Sequence, residues 1–72
     1  MNAVAQEKLE RVLKGELKYT SGNLAFNILI SKMQKRLKED PAGVESCMKE
    51  VEVFLAKYPI VAKVDLANIA AL

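Results

Sequence analysis

DPAGVESCMKEVEVFLAKYP, residues 40–59, is the stretch on which the fold turns. Asp40 is a good N-cap, and Pro41 fits a first helical turn because its φ is preset and its missing N–H would have no partner there. Behind them Val44, Cys47, Met48, Val51, Phe54, Leu55 and Tyr58 recur at i, i+3, i+4, i+7 spacing. On a helical wheel they fill an arc of about 120°, the width of a core-facing stripe. The spacing predicts an amphipathic helix stopped by Pro59, with Val53 alone on the opposite, charged face.

Toward the N-terminus, Thr20-Ser21-Gly22-Asn23 is a cluster of turn and capping residues. It predicts a second helix capped by Asn23 and running to about Lys38, with Phe26, Leu29, Ile30, Met33 and Leu37 inward. Leu24 and Ile28 point the other way, so the first half of this helix is apolar nearly all round, as for a helix between two neighbours. A first helix is expected over residues 3–17, with Ala5, Leu9, Val12, Leu13 and Leu17 on one side and Glu7–Arg11 and Glu10–Lys14 as i,i+4 pairs on the other. Gly15 offers a C-terminal stop after Lys14. Leu17 continues the apolar stripe, however, and the reading adopted runs to about residue 18.

Beyond Pro59 lies IVAKVDLANIAAL, residues 60–72. Asp65 could cap a short helix over 66–72, or a helix could begin nearer Ile60. The β-branched run from Ile60 to Val64 has no second strand to pair with, so helix is the reading. Its apolar residues face every direction and need a cover. The expected architecture is an all-α, up-down bundle of three amphipathic helices plus a short C-terminal helix, joined by short turns and forming one domain over 1–72. Its core is expected to hold Leu9, Leu13, Phe26, Ile30, Met33, Leu37, Val44, Met48, Val51, Phe54 and Leu55.

Composition excludes much. A 51% hydrophobic and 28% charged chain is a folding one, not a disordered tail. At 72 residues a single core is marginal, and small folds often carry a staple or a partner. One cysteine and no histidine rule out a disulfide within the chain and leave too few ligands for zinc. No cofactor or metal is expected. Without histidine the commonest general base is missing, as are the Ser–His and Cys–His nucleophile pairs. The three glycines form no phosphate loop, and the carboxylates Glu7/Glu10 and Glu50/Glu52 lie on polar faces. The chain is therefore read as non-enzymatic. Cys47, Met33 and Met48 read as core residues.

The chain begins at Met1 and is read as a complete product. Charges from Glu7 onward break any signal-peptide apolar region, and no run nears the ~20 apolar residues of a membrane span. A cytoplasmic setting without membrane attachment is expected.

Two surfaces remain for function. Leu24, Ile28 and Val53, with Leu66, Ile69 and Leu72 of the tail, are the candidate protein interface. If the tail packs on Leu24 and Ile28, the result is a four-helix monomer; if that face meets its own copy, the result is a homodimer. The leading expectation is a small interaction module that binds a protein partner, its own copy in particular. The alternative is a nucleic-acid-binding regulator using Lys32, Lys35, Arg36 and Lys38 on phosphates. Against it, a net charge of +2 is small, few aromatics are available for stacking, and apolar residues stand where base-reading ones would be.

Overall fold

A computed structural model describes all 72 residues. The chain forms the expected small all-α bundle: α1 (Ala3–Leu13), α2 (Leu24–Glu39), a 3-10 turn (Pro41–Gly43), α3 (Val44–Lys57) and α4 (Pro59–Ala70). No helix is long and apolar enough to cross a membrane.

The start of each of the first two helices follows from an asparagine. Asn2 Oδ1 accepts the N–H of Ala5 at 2.8 Å, and Asn23 Oδ1 accepts that of Phe26 at 2.9 Å. Each satisfies one of the N–H groups that a helix start leaves without a partner. Asp40 caps the 3-10 turn, accepting from Ala42, so Pro41 opens that turn and α3 proper begins three residues later than the sequence indicates. Pro59 ends one helix and opens the next: it sits in the first turn of α4, where its ring and missing N–H are tolerated.

α1 is shorter than expected. It stops at Leu13, and Gly15 takes φ +79°, which a side chain would resist. The N–H of Glu16 reaches the carbonyl of Arg11 (2.9 Å) and that of Gly15 the carbonyl of Val12 (3.0 Å), a Schellman ending that satisfies two terminal carbonyls. Leu17 is half-buried against the core, but from the connection rather than from helix. The apolar stripe thus continues in space after the helix has ended.

That connection, residues 14–23, is no short turn. Gln34 of α2 donates to the carbonyl of Val12, and Leu13 and Leu37 line one groove, so the end of α1 meets the second half of α2. The chain must travel back about 20 Å, the length of 13 helical residues, before α2 can start. Two polar contacts hold the returning segment. The Asn27 amide accepts from the N–H of Ser21 at 2.7 Å and donates to its carbonyl at 2.8 Å, and the Tyr19 hydroxyl donates to the carboxylate of Asp65.

The core cluster is Leu9, Val12, Leu13, Phe26, Ile30, Met33, Leu37, Cys47, Met48, Val51, Leu55 and Ile69. Most of the predicted core lies in it; Val44 and Phe54 are half-buried at its edge. Phe54 stacks on Phe26 with ring centroids 5.6 Å apart, and Tyr58 tilts against Phe54 at 4.7 Å. Burying side chains of this size stabilises by roughly 1.5–3 kcal/mol each, against the entropy of ordering them.

α4 does not cover Leu24 and Ile28. It packs on α1 and α3, and α1 also touches α3 through the middle, which leaves α2 and α4 at opposite corners. α1 and α4 run in the same direction: Asn2 and Ala5 share a groove with Ala62 and Leu66, and Lys8 donates to the carbonyls of Ala70 (3.0 Å) and Leu72. A cation against the last carbonyls of α4 offsets the negative end of its dipole.

Candidate interaction surface

On α2, Leu24 and Ile28 stand one turn apart on the side away from the core, 74% and 61% exposed. Nothing in the chain packs over them. Val53, 57% exposed, projects from α3 beside a shallow groove of about 750 Å³ that it lines with Leu29, Ser46, Lys49 and Glu50. The sequence-derived candidates on α2 and α3 are therefore available at the surface.

Those on the tail divide. Ile69 is fully buried in the core, and so cannot be a contact residue; α4 turns this side chain toward the other helices. Leu66 is half-buried against the same core, which removes it as an interface anchor. Leu72 is 44% exposed beyond the end of α4.

The exposed apolar residues of α4 are others. Ile60 (74%) and Val64 (53%) face outward, and Ala67 and Ala71 are exposed below them on the same side. The order Ile60, Val64, Ala67, Ala71 has 4-3-4 spacing, which puts all four in one strip. The sequence carries that signal, but the tail is apolar on every side, so periodicity alone does not say which strip faces out. Asp65, the one acidic residue of α4, lies on an inner side. It is 3% exposed, and Tyr19 hydrogen-bonds it. Burial first, and the bond to Asp65 second, push the Tyr19 hydroxyl up to about 12.

The basic end of α2 is only partly free. Lys32, Lys35 and Lys38 are exposed and form no ion pair. Arg36 is bound to Glu50 of α3, and the hydrogen bond to that carboxylate raises its pKa further. Its guanidinium also lies 3.8 Å from the sulfur of Met33. Arg36 thus fastens α3 to α2, and the four-cation patch expected from the sequence is reduced to three lysines.

Cys47 is 1% exposed within the core. No three His, Cys, Asp or Glu side chains gather as a metal site would require. A groove of about 520 Å³ where α1 ends is lined by Leu13, Lys14, Glu16, Gln34 and Leu37 among others.

Compared with protein-family models, curated proteins and solved structures, the chain matches none.

Proposed function

We propose that this chain is a non-enzymatic interaction module that associates with a second copy of itself through exposed apolar side chains. One observation carries the reading: Leu24, Ile28, Val53, Ile60 and Val64 are all more than half exposed in a chain of only 72 residues, and they fall on helix sides with no internal neighbour. Single exposed apolar residues are ordinary, but adjacent ones on one helix side mark contact surfaces. Small domains also gain the most from a partner, since one core of this size is marginal.

The test is solution mass across protein concentration, by sedimentation or light scattering. The expected result is a rise from one chain mass to two, persisting or strengthening at high salt, because apolar association is not screened. A single-chain mass at every concentration overturns the reading.

A second reading keeps one specific support: Lys32, Lys35 and Lys38 are exposed and unpaired. Phosphate contacts through three lysines would give weak binding that falls steeply with salt. Titrating a short DNA duplex at two salt concentrations, with Lys35→Gln/Lys38→Gln as the control, decides this.

A further inference from the structure

We infer that α1 is an exchangeable helix: the cleft that α2, α3 and α4 form around it accepts α1 of a second copy once the helix runs on past Gly15, and the turn at Gly15 keeps it in its own chain. This does not depend on the association through exposed side chains proposed above, which leaves every helix in place.

Two signals compete over residues 14–18. Lys14, Glu16, Leu17 and Lys18 are good helix formers, and Leu17 follows Leu13 by one turn on the stripe of Ala5, Leu9 and Val12. Against them stands Gly15 alone, whose φ of +79° and Schellman bonds end the helix. Everything in this segment except one backbone angle favours a longer α1.

Length makes that angle decisive. α1 ends level with the second half of α2, about 20 Å from where α2 starts. Continuation over residues 14–18 would carry its end to roughly 27 Å. From Lys18 to Leu24 the chain reaches at most about 21 Å when fully extended. A straight α1 therefore cannot dock on its own α2. Fraying the first turn of α2 would supply the missing length only by pulling Phe26, 0% exposed, out of the core. Leaving α1 undocked would expose Leu9, Val12 and Leu13 and the cleft that buries them.

The cleft of a second copy solves the conflict. α1 seated there keeps every contact it makes in the single chain with α2, α3 and α4, and only the connection changes path. The exchange is mutual, so it closes at two copies. The connection is suited to repathing: Lys14, Gly15, Glu16, Lys18, Thr20 and Gly22 are all exposed. One bond marks the closed form. Asp65 lies on α4 near Ala62 and Leu66, which share a groove with Ala5 in the first half of α1. With α1 straight, Tyr19 stands just beyond the far end of that helix, out of reach of Asp65, so their hydrogen bond is made only when the connection folds back.

The deciding experiment is sedimentation of the wild type, Gly15→Ala and Gly15→Asn, at concentrations where the wild type runs as a single chain. Alanine favours the straight helix over glycine by roughly fivefold and disfavours the left-handed turn by a similar factor, and both factors count for each of two chains. The expected result is a Gly15→Ala dimer constant at least about 100-fold above wild type, with helicity rising as residues 14–18 join α1. Gly15→Asn tolerates the turn and should stay with the wild type. A further variant adds about eight Gly/Ser residues between Thr20 and Ser21 of Gly15→Ala, which lets a straight α1 reach its own cleft. It should return to a single chain with the added helicity retained. Gly15→Ala that stays a single chain wherever the wild type does overturns the inference. So does a Gly15→Ala dimer that survives the insertion, because that association runs through some other surface.

Discussion

The hydroxyl of Tyr19 donates a hydrogen bond to the buried carboxylate of Asp65, 46 residues further along the chain. The bond ties the connection between α1 and α2 to the middle of α4.

Tyr19→Phe leaves that carboxylate without its donor. The expected loss is about 2 kcal/mol, the usual cost of an unsatisfied buried acceptor, read by urea denaturation. Asp65→Asn should be milder, because a neutral amide still accepts the bond and is cheaper to bury.

The same pair predicts an alkaline weakness. An unfolded tyrosine loses its proton near 10.0, while Tyr19 in the fold holds it to about 12. Between those values the unfolded chain has released a proton that the native chain retains, so stability falls as pH rises. The contribution is fully present below about pH 10 and gone above about 12. Allowing for solvent screening at a partly exposed group, it amounts to roughly 1–2 kcal/mol. Melting curves across that window should converge for wild type and Tyr19→Phe.

Asn27→Asp should cost about as much as Asn27→Ala, near 2 kcal/mol. The aspartate can still accept from the N–H of Ser21, but it cannot donate to the Ser21 carbonyl and sets a negative oxygen against it. A folded variant of unchanged stability would mean that the Ser21 turn contributes nothing.

Gly15→Ala tests the end of α1. A Cβ there meets nothing within 4 Å, so any cost comes from the left-handed backbone alone. About 1 kcal/mol is expected, and Gly15→Asn should recover part of it because asparagine tolerates that conformation.

Ile69→Ala should cost roughly 2–4 kcal/mol as a large-to-small change in a packed core. Leu24→Gln/Ile28→Gln should change single-chain stability by less than about 0.5 kcal/mol, since both are exposed. Thermal melts of the two variants at equal, low concentration separate the core residue from the surface pair.

The sequence makes α2 and α3 legible because each has an apolar stripe and a start signal beside it, Asn23 as the cap of α2 and Asp40-Pro41 just ahead of α3; their core residues follow from the wheel. Periodicity overextends α1 because Leu17 fits it, while the competing signal, Gly15, acts through a backbone angle that periodicity does not contain. α4 resists the same reading. Ile69 and Val64 are equally apolar, yet one is buried and the other exposed, and only the neighbours decide which. Asp65 reads in the sequence as a cap at the start of a short helix. Its actual role depends on a tyrosine in a distant connection, and nothing local to either residue announces the pairing.

The packing of α1 along α4 also sets an order of events. In synthesis α1 emerges first and α4 last of the four helices, and Lys8 finds its acceptors 62 and 64 residues downstream. Leu9 and Val12 therefore stay without their full cover until nearly the whole sequence has left the ribosome. The α2–α3 hairpin, with its short link, is the piece able to form beforehand, and α1 docks onto a scaffold assembled by the chain that follows it.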